Sequence, residues 1–359
     1  MRVHNFCAGP CTLPLSVLDE VKEELIDYRG SGMSVIEMSH RSPEYDAVHE
    51  DALALFRENF AVPDDFSILF LQGGATLQFA IVPMNLLREG ASAGHVRSGT
   101  WGKGALKDAA ACGDAYAAWD GEPYSFTRMP IDDELEVRPR TRYLHVTSNE
   151  TIEGIRMAAF PDVGVPLVGD MSSDYLSRPV PWDRFDVVYG GAQKNLGPAG
   201  LAVVVVRTSL FEEMNGDLPS YLRLEAHAGK NSLMNTPPMF SIYVMGKVLR
   251  WIRDQGGVEA MDKRATRRSG AVYEAIDGSD GFYRSPVEPA NRSHMNIVFR
   301  TASDELDASF LKGGEQEGLV NLKGHRSVGG VRASIYNAMT DEGVEALVGF
   351  MHAFREANA

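Results

Sequence analysis

Apolar positions along the chain recur in two rhythms. Short runs rich in β-branched and aromatic residues alternate with stretches where apolar residues return every three or four positions. The runs at 67–71, 95–98, 142–147, 165–169, 185–189 and 201–206 read as strands, the last an unbroken LAVVVV expected to be covered on both faces. Helical patterns lie between several of them, as at 76–87 and 101–111. An early helix is expected over 16–30, SVLDEVKEELIDYRG, with Ser16 as N-cap, Val17, Val21 and Leu25 on one face, and Gly30 as C-cap. A second is expected to start at Ser42-Pro43, with proline in the first turn. Strands alternating with helices predict an α/β fold: a mostly parallel sheet covered by helices and built from right-handed crossovers.

Near residue 260 the texture changes. A helix at 257–276, turns rich in Gly, Ser and Pro, the strand HMNIVFR and a last helix at 341–357 predict a smaller C-terminal α+β domain. The expected division is a large domain at 16–260 and a small one at 261–359, joined by the N-terminal segment 1–15. There is no internal repeat or low-complexity tract.

At 359 residues the chain is long enough for one large and one smaller domain, each with a core. Its 44% apolar and 23% charged residues are ordinary for a globular enzyme. A net charge of −14 without a basic stripe argues against nucleic acid or an anionic membrane as partner. An anionic substrate would need a local cluster of cations. Cys7, Cys11 and Cys112 form no disulfide framework and no zinc-ligand set, so reduced thiols and no metal are expected. No signal-peptide pattern or membrane-length apolar run is found, and the protein is expected in the cytoplasm.

Lys194 stands in YGGAQKNLGPAG, a turn between two buried-looking strands. Its amine either snorkels to the surface or serves as a Schiff-base lysine, whose amine a partly dry cleft keeps neutral. Asp170 ends a short apolar strand in VGDMSS. It is either a turn-former or the partner of a pyridinium nitrogen, and the pair of acid and lysine at two strand ends is more specific than either alone. QGGATLQF reads as strand, Gly-Gly turn and helix; its first N–H groups either cradle a phosphate or merely open the helix. Trp101 either stacks on a cofactor ring or sits in the core. His40 and Arg41 in SHRSPEY, and His325, Arg326 and Arg332 in GHRSVGGVRASIYN, are either surface charges or the recognition of a substrate with two anionic groups.

With these segments assembled, the chain resembles the phosphoserine aminotransferase family, class V aminotransferases on the type I pyridoxal-phosphate transferase fold. NFCAGPCTLP, MSHRSPEY, QGGATLQF, TWGKGA, SNETIEGI, GDMSSDYLSRP, YGGAQKNLGPAG, NTPPMFSIY and GHRSVGGVRASIYNAM carry the likeness along nearly the whole chain. It implies a seven-stranded sheet in the large domain, pyridoxal 5′-phosphate as cofactor, and a homodimer with shared active sites. It also implies ping-pong exchange of an amino group between glutamate and 3-phosphohydroxypyruvate, giving phosphoserine and 2-oxoglutarate for serine biosynthesis. By the same resemblance Lys194 forms the Schiff base and shuttles the proton, Asp170 pairs with the ring nitrogen, and Trp101 stacks on the ring. Thr151 bonds the phenolic oxygen. Ala75, Thr76 and Gln193 hold the cofactor phosphate, with Asn235 and Thr236 reaching it from the neighbouring subunit. Arg332 takes the substrate α-carboxylate; His40, Arg41, His325 and Arg326 take the substrate phosphate or the glutamate side chain. In bacterial relatives the same site aminates a longer phosphorylated keto acid on the route to the cofactor, and that second activity stays open here.

Three rivals remain at this point. A cysteine desulfurase needs a nucleophilic cysteine in a C-terminal loop, and no cysteine follows Cys112. An alanine–glyoxylate aminotransferase has no use for the paired His-Arg clusters. A cofactor-free binding protein has no use for both Lys194 and Asp170.

Overall fold

The computed structural model describes residues 2–358. Seven strands form the main sheet: β1 (Phe66–Gln72), β2 (Ser92–Arg97), β3 (Asp114–Asp120), β4 (Thr141–Thr147), β5 (Leu167–Asp170), β6 (Phe185–Gly191) and β7 (Leu201–Arg207). Their spatial order is β1-β7-β6-β5-β4-β2-β3. The pairs from β6 through β3 are parallel, and β7 runs antiparallel to both of its neighbours. In β7 the pleat sends Val203 and Val205 into the core on one face and Val204 and Val206 into the core on the other. A strand covered on both faces must be apolar throughout, which is why its sequence is an unbroken run.

One face is packed by α1 (Leu15–Glu24), α2 (Pro43–Phe60) and α5 (Met239–Asp254); the other is packed by α3 (Ala75–Leu86) and α4 (Thr100–Cys112). The helix start at Ser42 forms as expected: the Ser42 hydroxyl accepts from the Tyr45 N–H at 3.3 Å, and Pro43 opens the first turn.

The early helix departs from expectation at both ends. It begins at Leu15 behind Pro14, so Ser16 is inside the first turn and caps nothing. It stops at Glu24 rather than running to Gly30. Past it, the Asp27 carboxylate accepts from the Gly32 N–H at 2.8 Å and the Tyr28 N–H bonds Met33 O at 2.9 Å. These turn contacts compete with helix propagation.

The C-terminal elements are α6 (Gly257–Asp277), β8 (Asn296–Phe299), α7 (Asp304–Gln316), β9 (Val331–Ser334) and α8 (Asp341–Asn358). β8 and β9 pair antiparallel. A second core, including Ile297, Phe299, Phe310 and Leu347, lies among them. The N-terminal segment joins this group: His4–Asn5 pairs with Leu319–Val320, and Phe6 is buried in the same core. No helix among the described residues is long and apolar enough to cross a membrane.

Candidate active site

The C-terminal ends of the parallel strands gather the chemistry, as open α/β sheets do. Asp170 is the last residue of β5 and lies opposite Tyr189 of β6. Its Oδ1 accepts from the Ser172 N–H at 2.9 Å and the Ser172 hydroxyl at 2.6 Å. The same hydroxyl accepts from the Gly191 N–H at 3.1 Å, so Ser172 ties the tips of β5 and β6 together. Lys194 follows in the turn after β6. It is buried, and its Nζ donates to Thr151 Oγ1 at 2.8 Å. The Nζ also stands 5.6 Å from the centre of the Trp101 ring.

Burial disfavours charge on both members of the pair. It lowers Lys194 from the usual lysine range, and Asp170 is the strongest charge acting the other way. It raises Asp170, with Lys194 in turn opposing. The ammonium and the acid thus share one dry cleft and stabilise each other there. The snorkelling alternative for Lys194 is excluded, because its side chain ends inside. Arg332 enters the same cleft from β9. Burial lowers its pKa, its Nε has no partner, and among the described residues it forms no ion pair.

The N-terminal segment lies against this turn. The Cys11 N–H bonds Gln193 O at 3.0 Å, and the Cys11 thiol donates to the Lys194 carbonyl. Burial pushes Cys11 up to about 12, so it stays a thiol and is no nucleophile at neutral pH.

Glu150 is a site residue that reading the sequence missed. It is fully buried. Its Oε1 accepts from the Ser98 hydroxyl and the Gly102 N–H, both at 2.8 Å, and its Oε2 accepts from the Trp101 N–H at 3.0 Å. Glu153 accepts from the Thr100 N–H at 2.9 Å. Two carboxyl groups therefore close the N-terminus of α4, accepting from its first N–H groups. Burial and the charge of Glu153 push Glu150 up to about 8. Because Thr151 follows it directly, Glu150 links the Trp101 ring to the Thr151–Lys194 contact. The only signal in the sequence was two acids flanking Thr151 in NETIEG.

Ala75 and Thr76 open α3, which has no side-chain cap. His40 Nδ1 and Thr236 Oγ1 stand 3.2 Å apart, Thr236 O accepts from Gln72 Nε2 at 2.8 Å, and Asn235 Nδ2 lies 3.4 Å from Gln72 Oε1. Among the described residues no hydrogen bond or ion pair joins this outer cluster or exposed Arg41 to Lys194, Asp170 or Arg332. His325 and Arg326 sit on the turn leading into β9; His325 Nδ1 is 2.7 Å from the Ser327 hydroxyl, and Arg326 is exposed. The structure therefore brings Trp101, Thr151, Asp170, Lys194 and Arg332 into one cleft, and leaves His40, Arg41, Asn235 and Thr236 in another place on the same chain.

The family model for aminotransferase class V matches residues 3–347. The chain belongs to the class V aminotransferases. It is 50% identical to the phosphoserine aminotransferase of Niallia circulans, over 99% of each chain, and 49% identical to that of Laribacter hongkongensis, over 99% of each. Among solved structures it superimposes on the phosphoserine aminotransferase of Bacillus circulans subsp. alkalophilus with a TM-score of 0.98, at 50% identity, over 100% of this chain and 99% of that one. The PLP-bound phosphoserine aminotransferase of Trichomonas vaginalis gives a TM-score of 0.93 at 36% identity, over 98% and 100%.

The residues of this class V site fit such a cofactor. The indole Nε1 of Trp101 is buried without a partner, and Asp170 Oδ2 accepts no hydrogen bond among the described residues. Among the described residues the Lys194 amine makes one hydrogen bond, to Thr151. Uncapped N–H groups open α3, where an anion is favoured.

Proposed function

We propose that this aminotransferase uses pyridoxal 5′-phosphate to move an amino group from glutamate to 3-phosphohydroxypyruvate, giving 2-oxoglutarate and phosphoserine for serine biosynthesis. Bound at this site, the cofactor supplies an aldehyde that captures amines and a protonated ring that draws electrons from the substrate α-carbon. Lys194 would hold the cofactor and, once released by substrate, carry the proton at Nζ to and from that carbon. Asp170 would keep the ring nitrogen protonated, Trp101 would cover the ring, and Thr151 would bond the phenolic oxygen beside Lys194. Ala75, Thr76 and Gln193 would hold the phosphate.

The observation that carries the reading is Arg332: a half-buried guanidinium without a carboxylate, in the cleft of the Lys194–Asp170 pair. A planar fork in that position suits the α-carboxylate that every substrate brings. His325 and Arg326, on the turn before it, would take the more distant anionic group. The near-identity in length and the 50% identity to proteins named for phosphoserine support that substrate.

We infer further that two copies share their sites, with His40, Arg41, Asn235 and Thr236 serving the partner. Two features support this. Arg41, Asn235 and Thr236 are exposed, and among the described residues no hydrogen bond or ion pair joins the cluster to Lys194, Asp170 or Arg332. The cluster is also bordered by exposed apolar side chains, Leu77 and Tyr221, with Ile26 and Ile36 exposed elsewhere on the N-terminal elements. A cytoplasmic location follows from the same reading.

The deciding assay is glutamate-dependent amination of 3-phosphohydroxypyruvate against unphosphorylated hydroxypyruvate. A large preference for the phosphorylated acid is expected; equal kcat/KM values would overturn the substrate assignment.

A further inference from the structure

A second cavity, of about 490 Å³, is lined by Arg156, Arg178, Arg184, Asp262, Thr266 and His294. None of these belongs to the Lys194 cleft. Arg156 ends the short strand Ile155–Arg156, Arg178 and Arg184 follow β5, and Asp262 and Thr266 lie on α6, so the cavity sits where the main sheet meets the C-terminal elements.

Its charges are unequally matched. Arg178 pairs with Asp174 at 3.1 Å and Arg184 with Asp162 at 3.4 Å. Arg156 has no ion pair among the described residues, and its Nε is buried without a partner. Arg178 is fixed further: it donates to Met157 O at 2.6 Å and lies over the Phe160 ring at 4.6 Å. It cannot swing away from Arg156, and each guanidinium sits in the other's field. His294 Nδ1 is 3.4 Å from the Thr266 hydroxyl. Asp262 is the only carboxylate in the lining, and it stands beyond ion-pair distance from Arg156. In a chain of net charge −14, an unpaired, half-buried arginine beside a second, immobile one is an arrangement that an anion relieves.

We propose that this cavity is a binding site for a phosphate group, free or esterified, held by Arg156 and Arg178 with Thr266 and His294 as further donors. Two forked cations suit a tetrahedral dianion better than a single carboxylate. Empty, the site keeps His294 neutral, because burial and then the charges of Arg156 and Arg178 hold it down at about 4. A bound phosphate, a monoanion in the acidic range where this imidazole titrates, cancels part of that repulsion and raises the His294 midpoint. Arg184 and Asp162 at the rim are already paired; Asp174, paired with Arg178, and Asp262 also lie in the field of Arg156 and offset part of its charge.

The test uses the pyridoxal-phosphate-loaded enzyme with ¹³C-labelled histidine, the His294 signal assigned from His294→Gln. Inorganic phosphate and glycerol 3-phosphate are each titrated against sodium chloride of equal ionic strength. The expected result is a saturable upward move of the His294 midpoint by about one pH unit or more, absent with chloride. Tighter half-saturation with the ester assigns the site to phosphomonoesters, and the reverse assigns it to the free ion. In Arg156→Gln the midpoint should rise without any phosphate, the phosphate response should be largely lost, and transamination should be unchanged. A His294 signal in the unaltered enzyme that responds to phosphate no more than to chloride would overturn the proposal, whatever the variant does.

Discussion

Glu150 shows how one buried carboxyl group can position two neighbours of the cleft, Trp101 and Thr151, at once. Its three hydrogen bonds fix the first turn of α4, and with it the ring of Trp101; the peptide that follows it fixes Thr151. An unfolded glutamate titrates near 4.5, and this one is pushed up to about 8. Between those values the folded protein holds a proton that the unfolded chain has lost, so this group makes stability fall as pH rises through the window. Glu150→Gln keeps the shape and removes the titration. We expect its urea-unfolding free energy to fall less than that of the unaltered protein from about 4.5 to about 8. Two curves of the same slope would show that Glu150 is ionised throughout the window in the fold.

On the scale of elements, the approach of α4 to β2 decides where Trp101 stands. Gly102 is what permits it: a Cβ there would meet the Val96 carbonyl at 2.6 Å and Glu150 Oε1 at 3.2 Å. Gly102→Ala should force the helix outward. The expected cost is about 1–3 kcal/mol of stability, measured by urea titration, together with weaker cofactor retention on dialysis. A stable variant with unchanged retention would mean that the helix start has slack. The same scale explains which elements the pattern of apolar residues did and did not reveal. β3, DAYAAWD, escaped notice because an edge strand with mixed burial carries only a diluted apolar run. α5 also went unnoticed, although its apolar residues return with a helical period. α1 was seen but misjudged at both ends, where turn contacts rather than helix propensity set the limits.

Across the whole molecule, a buried polar network joins the cleft to the C-terminal elements. Asn149 donates to Asn296 Oδ1 and to the Ser173 hydroxyl, both at 2.9 Å, and Asn296 donates to the Ser334 hydroxyl at 2.9 Å. The Asn337 N–H reaches Asn195 Oδ1, beside Lys194, at 3.0 Å. Such satisfied networks hold packed units in one register, here the strand bearing Arg332 against the turn bearing Lys194. The proposed sharing of sites is tested by mixing two inactive variants, Lys194→Ala and Arg41→Ala, after unfolding and refolding them together. If Arg41 serves the partner's cleft, each hybrid dimer has one doubly damaged site and one intact site. Statistical pairing then restores about a quarter of full activity. If Arg41 serves its own cleft, every hybrid site carries one lesion and activity does not return.

The sequence by itself determined the α/β class, the strand ends that carry Asp170 and Lys194, and the family, because unbroken apolar runs and long turn motifs are local properties of the chain. It could not show that Glu150 closes the helix of Trp101, or that Arg332 remains unpaired beside Lys194. Nor could it show that His40 sits with Thr236 away from the cleft, or that Arg156 and Arg178 face one cavity. Those facts depend on which side chains from distant segments exclude water together. Burial and the fields of neighbouring charges arise only when the chain has closed on itself.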